Sequence, residues 1–264
     1  MFTEIKYETV GTTAVITMNR PEAYNAFTSH MVEELIKAFQ QASWDREIAA
    51  VILTGEGEKA FSSGGDVKIR ARTGGYGPSE SGVLRVAELQ SVIRNTPKPV
   101  IAAVNGVAIG GGHVLHVVCD VTIAAEHARF GQVGPKVGSF DAGYGTAYLA
   151  RVVGEKKARE MWFWNRLYSA NQALDMGLVN EVVPGDELMS TALSWADEVA
   201  AKSPTAIRFL KQSFNADSDQ IGGLGMMAMS ALDMYGHSEE AKEGAAAFAE
   251  KRDPAFREHA EWHY

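Results

Sequence analysis

Apolar and polar residues near the start of the chain follow two different periods. Two strand-like runs, residues 4–10 (EIKYETV) and 13–19 (TAVITMN), are separated by Gly11 and predict a β-hairpin. Further on, apolar residues recur at helical spacing, at Val32, Leu35, Ile36 and Phe39. This spacing predicts a helix for which either Thr28 or Ser29 is the N-cap.

Buried strands, glycine turns and helices then alternate along the chain. Residues 49–55 (AAVILTG) form a continuous apolar run, typical of a strand buried on both faces. Residues 64–82 are polar and glycine-rich, and they predict a mobile loop, whereas residues 83–93 predict a short amphipathic helix.

The same alternation continues through PVIAAVNG, GGGHVLHVVCD and VTIAAEHARFG, the last of which reads as a returning strand. It predicts an α/β domain to about residue 200, with helical patterns dominating from Glu155 onward. The apolar stretch GGLGMMAMSALDMYG (residues 222–236) predicts a peripheral helix that packs either within the chain or against another subunit.

Charge and composition narrow the function classes. The 264 residues are 46% hydrophobic and 22% charged, and the net charge of -8 argues against a nucleic-acid-binding surface. The longest apolar run (KPVIAAVNGVAIGGG) is too interrupted by glycine to cross a membrane, and no signal peptide is visible. Cys119 is the single cysteine, so no internal disulfide can form, and we expect a cytoplasmic protein.

Three glycine-rich stretches are candidate sites: SSGGDVK, AIGGGH and FGQVGPKVGSFDAGYG (residues 130–145). None has the spacing of a P-loop or of a dinucleotide-binding turn. The backbone N–H groups of Gly65 and Gly111 could together stabilise an oxyanion, although a turn of this kind on its own is more often structural. His113 and His116 lack a third ligand nearby, so no metal site is predicted.

Several longer motifs resemble the crotonase, or enoyl-CoA hydratase/isomerase, superfamily. They follow one another in this order: NRPEAYNAF, AVILTGEGEKAFSSGGDVK, KPVIAAVNGVAIGGGHVLHVVCDVTIAAEHARFGQ, ARVVGEKKAREMWF and ALDMGLVNEVVP. The resemblance implies an α/β fold, the crotonase (ClpP-like) spiral of ββα units, as a core over residues 1–200. It further implies a C-terminal helical trimerisation region over residues 201–264, and thus a homotrimer or homohexamer.

The resemblance also implies an acyl-CoA substrate whose thioester enolate is held by the N–H groups of Gly65 and Gly111. The positions that would contact substrate or CoA are Tyr24, Ser63, Gly64, Asp66, Val67, Val107, Ile109 and Gly110. Some relatives place a basic residue at the Tyr24 position for the CoA phosphates, so Lys251 is a candidate compensating cation.

The two glutamates of the superfamily's hydratases are replaced here by Val114 and Gly134, neither of which can transfer a proton. The stretch from residue 130 to 145 instead resembles two subfamilies, 2-ketocyclohexanecarboxyl-CoA hydrolase and 1,4-dihydroxy-2-naphthoyl-CoA synthase. Both share a glycine at the second position and keep Ser139 and Asp141, so the resemblance implies chemistry on a C–C bond.

We favour the hydrolytic, retro-Claisen ring opening of a cyclic β-keto acyl-CoA. In this hypothesis Asp141 is the general base for water, and Ser139 with Tyr76 or Tyr144 donates hydrogen bonds to the ketone oxygen. The other interpretation of Asp141 is a capping or turn residue.

Two alternatives stay open. In the synthase, which closes a ring, Gln132, Gly134 and Trp162 would bind a bicarbonate in place of the missing carboxylate; no tightly bound cofactor is otherwise expected. The tyrosine that synthases carry near the C-terminus aligns with Gly236, beside Tyr235, which counts against that alternative. The second alternative is a CoA-binding protein that has lost catalysis.

Overall fold

Two β-sheets organise the computed structural model, which describes residues 2–260. The larger sheet has six strands in the order β1 (Ile5–Val10), β2 (Thr13–Met18), β3 (Ala50–Gly55), β5 (Val100–Val104), β7 (Val121–Ala125) and β10 (Glu181–Val183). The smaller sheet has four strands in the order β4 (Ala60–Ser62), β6 (Val107–Ile109), β8 (Arg129–Gly131) and β9 (Leu167–Ser169).

The chain alternates between these sheets as it advances. After the antiparallel β1–β2 hairpin, β3, β5 and β7 each enter the large sheet in parallel, and each is followed by a short strand, β4, β6 or β8, in the small sheet. Each such pair is followed by helix. This repetition is the spiral of ββα units that the sequence motifs imply, and the fold prediction is confirmed.

Twelve α-helices in the described part of the chain complete the architecture. In the first half they are α1 (Ser29–Trp44), α2 (Val67–Thr73), α3 (Val86–Asn95) and α4 (Gly111–Val117). Beyond the spiral they are α5 (Ala147–Val153), α6 (Glu155–Trp164), α7 (Ala170–Asp175), α8 (Leu188–Ala200), α9 (Pro204–Ala216), α10 (Gln220–Gly236), α11 (Glu239–Glu250) and α12 (Phe256–His259).

Two local predictions differ from the structure. The predicted loop 64–82 contains α2, because the Asp66 side chain caps the helix by accepting from the Ile69 N–H at 3.0 Å and Gly74 ends it in the left-handed region (φ 76°). The predicted strand from Val121 is broken by a turn into β7 and β8, so that the chain can enter the second sheet. The N-cap of α1 is Thr28, whose hydroxyl accepts from the Met31 N–H at 3.0 Å.

The large sheet is buried on both faces, as the continuous apolar runs predict. On one face, alternate residues of its central strands pack against α1, α3 and α4 in the main core: Ile16, Met18, Val51, Leu53, Ala102 and Val104. On the other face a second core forms against α8: Val15, Ile52, Ile101, Ala103, Leu188, Ala192 and Ala196.

The C-terminal helices fold back onto the spiral. Arg94 of α3 and Asn215 of α9 exchange hydrogen bonds between side chain and backbone in both directions, at 2.8 and 3.3 Å. Apolar side chains nevertheless remain exposed on α9 and α10: Phe209, Leu210, Phe214, Met226, Met227 and Met234. The boundary at residue 200 and trimerisation through residues 201–264 stay predictions, and residues 261–264 lie outside the described range.

No helix within residues 2–260 is both long enough and apolar enough to cross a lipid bilayer.

The backbone at the start of α4 closely approaches the backbone at the end of β4. A Cβ atom on Gly112, at the start of α4, would overlap the carbonyl group of Ser62 at the end of β4. Because Ser62 lies two residues before Gly64 and Gly112 directly follows Gly111, this contact sets the distance between the two glycine turns.

We expect Gly112→Ala to destabilise the protein by about 1–3 kcal/mol, because the added methyl must push two backbone segments apart. Gly223→Ala is the matched control: Gly223 is exposed inside α10, and its Cβ would meet nothing within 4 Å. That variant should gain roughly 0.5–1 kcal/mol from helix propensity. Urea unfolding measures both, and equal effects of the two substitutions would contradict the close-approach argument.

Candidate active site

A cavity of about 70 Å³ lies between the glycine turns, the 130–145 segment and α10. Many residues predicted from the sequence line it: Ser63, Gly65, Val67, Tyr76, Gly110, Gly111, Gln132, Gly134, Ser139, Asp141 and Trp162. Met229 and Leu232 of α10 add apolar wall. The structure therefore brings together groups that are distant in sequence around one small space.

The two proposed oxyanion donors face this cavity without an intramolecular acceptor. Phe27 and Gly65 form a parallel bridge that uses the carbonyl of Gly64 and the N–H of Asp66, which leaves the N–H of Gly65 unused. Gly111 is the first residue of α4, so its N–H precedes the helical hydrogen-bond ladder. Within residues 2–260 neither N–H donates a hydrogen bond.

The turns that carry these donors touch each other. A Cβ built on Gly64 would lie 2.9 Å from the backbone nitrogen of Gly111. Side chains are excluded at both donors as well, because a Cβ on Gly65 would overlap the Tyr76 ring and one on Gly111 would lie 2.6 Å from Phe27 Cζ. Glycine at these positions therefore keeps the N–H groups uncovered and packed side by side.

The carboxyl group of Asp141 and the side chain of Val114 border the same point next to Gly145. A Cβ built on Gly145 would meet three atoms at 3.1–3.2 Å, namely Val114 Cγ2, Asp141 Oδ1 and Trp162 Cζ2. Val114 is the residue that the resemblance aligns with the first hydratase glutamate, and Asp141 brings a carboxylate to the same point from a different loop.

The environment of Asp141 makes it a stronger base than an exposed aspartate. Burial raises the pKa of its carboxyl group to about 7, and a hydrogen bond from Gln90 Nε2 to Oδ2 at 3.4 Å opposes the rise. A carboxyl with a pKa near neutrality can both accept and return a proton at physiological pH.

The position of the second hydratase glutamate is sterically filled. A Cβ on Gly134 would lie 2.7 Å from the carbonyl oxygen of Ser139 and 3.1 Å from Trp162 Cζ3. A glutamate at this position would therefore require the 134–139 turn and the indole to move.

Two polar residues of the site carried no sequence motif. Gln90 donates a hydrogen bond to Asp141 and is buried on the apolar face of α3. A polar residue among the apolar positions of a helix is the one feature of the sequence that could have indicated its role. Arg70 lines the cavity and donates to the Gly138 carbonyl at 2.6 Å, so α2 holds the segment before Ser139 in place. Its Nη1 also lies 3.5 Å from the Tyr76 hydroxyl.

The three residues predicted to hold bicarbonate are close together, and two of them already make side-chain hydrogen bonds within the chain. Trp162 Nε1 donates to the Gly145 carbonyl at 2.6 Å, and the Gln132 side-chain amide contacts His113 Nδ1 at 3.3 Å. His113 is fully buried, and burial lowers its pKa to about 3, so the ring is neutral. The indole N–H of Trp162 is therefore engaged within the chain, whereas the Gln132 amide has a second N–H besides the one that can contact His113.

Several predicted contacts fall outside the cavity lining. Tyr144 packs its ring against Arg94 and Tyr148 in the core, so its placement does not fit the donor role; Tyr76 and Ser139 remain. Asp66 is occupied as the α2 N-cap and as the partner of Arg20 at 3.1 Å. The others that do not line it are Tyr24, Gly64, Val107, Ile109 and Lys251.

Tyr235 does not replace the tyrosine lost at Gly236. It packs against Phe140 with ring centroids 5.8 Å apart, but its hydroxyl donates to Glu240 at 3.2 Å. Burial and Glu240 raise its pKa to about 12, and it does not line the cavity. In the described part of the chain, no group of three or more His, Cys, Asp or Glu side chains could hold a metal ion.

Comparisons with known proteins agree with the fold. The family model described as "Enoyl-CoA hydratase/isomerase" matches residues 8–259. An enoyl-CoA hydratase from Mycobacterium avium subsp. paratuberculosis K-10 is 26% identical, with a TM-score of 0.86 over 97% of this chain and 99% of its own. An enoyl-CoA hydratase/isomerase from Pseudoalteromonas atlantica T6c is 28% identical, with a TM-score of 0.87 over 96% of this chain and 100% of its own.

A third similar structure has a higher sequence identity than these two. This enoyl-CoA hydratase/isomerase from Xanthobacter autotrophicus Py2 is 34% identical, with a TM-score of 0.76 over 93% of this chain and 89% of its own.

The raised pKa of Asp141 predicts how stability depends on pH. Its pKa is about 7 in the folded protein against an ordinary value of 3.8, so ionising it costs stability as pH rises from about 4 to 7. Relative to wild type, Asp141→Asn should therefore become more stable between pH 5 and pH 8, by on the order of 2 kcal/mol. Urea unfolding at both pH values measures the difference.

Asp233→Asn, at an exposed position of α10, is the control and should follow the wild-type pH dependence. If Asp141→Asn also follows it, the carboxyl group of Asp141 is not perturbed by burial.

Proposed function

The chain belongs to the enoyl-CoA hydratase/isomerase family, and from that premise we propose that it opens a cyclic β-keto acyl-CoA by hydrolysis. A substrate of this class is 2-ketocyclohexanecarboxyl-CoA. The proposal requires three elements in one cavity: a base for water, a donor to the ketone oxygen and an oxyanion hole for the thioester enolate.

One observation carries the proposal. Asp141, with a pKa raised to about 7, lies in the same cavity as the free N–H groups of Gly65 and Gly111. The positions of both hydratase glutamates are meanwhile taken by Val114 and by Gly134, against which Ser139 and Trp162 pack. The cavity thus offers a single carboxylate. One carboxylate is sufficient for a reaction in which the same group takes a proton from water and later gives it to a carbon atom.

The first step would be attack of water on the ketone carbon. As the C–O bond forms, Asp141 takes the water proton, and the ketone oxygen becomes an oxyanion hydrogen-bonded by the hydroxyl of Ser139 or Tyr76. Both residues line the cavity, and the Ser139 hydroxyl makes no hydrogen bond to another residue in the range 2–260. It is therefore available to a substrate.

The second step would break the ring. The tetrahedral intermediate collapses to a carboxylic acid, and the bond between the former ketone carbon and the α-carbon breaks. Its electron pair becomes the thioester enolate, whose oxygen is held by the N–H groups of Gly65 and Gly111. Asp141 then returns its proton to the α-carbon, so that substrate and water give one open-chain acyl-CoA with a free carboxyl group.

The runner-up is ring closure to 1,4-dihydroxy-2-naphthoyl-CoA, which shares the enolate and is favoured by the presence of Ser139, Asp141 and Tyr76 in the cavity. Of the side-chain donors expected to hold bicarbonate in the synthase, Trp162 Nε1 already donates to the Gly145 carbonyl. We therefore derive no step through bicarbonate. A CoA-binding protein without catalysis is the remaining alternative.

The test is to incubate the protein with 2-ketocyclohexanecarboxyl-CoA and, separately, with o-succinylbenzoyl-CoA, with and without bicarbonate, and to follow the products by mass. We expect pimeloyl-CoA from the first and no product from the second. Asp141→Asn should lower the rate by about 10²–10⁴-fold, because the amide cannot accept the water proton. A naphthoyl product supports the synthase, and activity of Asp141→Asn at the wild-type rate contradicts the mechanism.

Replacing Gln90 tests the role of Asp141 as the base by shifting its pKa while its carboxyl group stays in place. Since Asp141 must be ionised to act, kcat/KM should rise with pH around an apparent pKa near 7. The hydrogen bond from Gln90 lowers that pKa, so Gln90→Leu should move the rise to higher pH. Asn95→Leu removes an exposed amide from the same helix and should leave the profile in place; a shift to lower pH in Gln90→Leu would contradict the assignment.

A further inference from the structure

A second, larger cavity, which is open to solvent on the side of Glu155, Arg159 and Phe163, adjoins the candidate active site at Trp162. It has a volume of about 510 Å³ and is lined by residues of α5, α6 and the turn before them. Of the described residues that line either space, Trp162 alone lines both. The indole is therefore the partition between a small catalytic cavity of about 70 Å³ and a larger space beyond it.

The indole is held firmly in this position. Its Nε1 donates to the Gly145 carbonyl at 2.6 Å, and the side chain is 6% exposed. Its ring packs on two backbone segments that carry no side chain, at Gly134 and Gly145, where added Cβ atoms would lie 3.1 and 3.2 Å from ring carbons. With one hydrogen bond and contacts on two sides, the ring cannot swing aside without displacing backbone.

The partition is at the reacting end of the cavity. Trp162 Cζ2 and Asp141 Oδ1 each lie 3.2 Å from the same point beside Gly145. An acyl group that reaches this point therefore lies against both the Asp141 carboxylate and the edge of the indole.

The space beyond the partition suits an alkyl chain. Its wall contains Ala147, Ala150 and Ala158 together with the ring of Phe163. The charged residues on it already have partners: Arg159 pairs with Glu155 at 2.5 Å, and Arg151 pairs with Asp217 at 2.7 Å. The cavity thus presents apolar surface without an unpaired charge among these groups.

We propose that Trp162 is the specificity-determining residue that limits the length of the acyl group, by closing the catalytic cavity against the second cavity. The inference rests on the proposed acyl-CoA ligand but not on the direction of the reaction. It gives the indole a role that does not depend on a bound anion. The wild-type cavity takes compact acyl groups, and a smaller residue at this position opens a path for longer ones.

The experiment measures binding of butyryl-CoA and dodecanoyl-CoA by isothermal titration calorimetry. Neither saturated thioester has a ketone to react. In wild type we expect dodecanoyl-CoA to bind at least tenfold more weakly than butyryl-CoA, because its chain meets the indole. In Trp162→Ala the ratio of the two dissociation constants should shift at least tenfold toward dodecanoyl-CoA.

Three variants separate the partition from other effects. Trp162→Phe keeps an aromatic ring without the N–H and should retain the wild-type ratio. Trp164→Ala, on the same helix but 65% exposed, should also retain it. Ala150→Trp added to Trp162→Ala refills the second cavity and should reverse the gain.

Trp162→Leu serves if Trp162→Ala does not fold. An unchanged ratio in the folded variant overturns the inference, as does a wild-type protein that binds both thioesters equally. A shifted ratio without ring-opening activity supports the inference while contradicting the proposed function.

If wild type binds neither thioester, the proposed acyl-CoA function fails and crystals of Trp162→Ala under xenon pressure test the partition directly. Xenon at the vacated indole position, joining the two cavities, supports it. Collapse of the Gly134 and Gly145 segments into that position overturns it.

Discussion

The close contact between two backbone turns is the constraint on which the site depends. The turn after β4 and the start of α4 approach so closely that Gly64 and Gly112 leave no room for a Cβ. Because β4 and β6 are neighbours in the small sheet, successive turns of the spiral carry these segments to the same edge. Two N–H groups that the backbone leaves unpaired, at Gly65 and Gly111, consequently face one cavity.

Of the described residues that line the cavity around this pair of donors, Asp141 alone carries a carboxylate. Val114 lies on α4 and Gly134 in the next turn, and neither can carry a proton. Asp141 enters from a later loop and brings its carboxylate beside Val114, whereas the space next to Gly134 is filled by the indole of Trp162. A single carboxyl with a pKa raised to about 7, in the same cavity as the unpaired N–H groups of Gly65 and Gly111, is the physical basis for proposing C–C bond hydrolysis over two-glutamate hydration.

The loop that carries Asp141 is held from several sides. Arg70 binds the Gly138 carbonyl, Gln90 binds the carboxyl group of Asp141, and Trp162 binds the Gly145 carbonyl. These contacts come from α2, α3 and α6, so three different helices position one loop. Such support is what a general base needs, because proton transfer depends on a fixed distance between the base and its water.

Local chemistry in the sequence was sufficient for much of this fold. Alternating and helical apolar periods identify the hairpin, the buried strands and α1, and the ordered motifs imply the ββα spiral and the Gly65–Gly111 pair. The same information identified Asp141 as the remaining carboxylate but not its neighbours: Gln90, Arg70 and the Trp162–Gly145 hydrogen bond carry no motif. The sequence motifs also place Tyr144 in the site and Asp66 on the ligand, whereas packing turns Tyr144 toward Arg94 and engages Asp66 as a helix cap.

Periodicity and turn chemistry act between residues a few positions apart and can be read along the chain. The position of Asp141 beside Val114, and of Trp162 between two cavities, was decided by the tertiary structure, because those contacts exist only after distant elements have packed together.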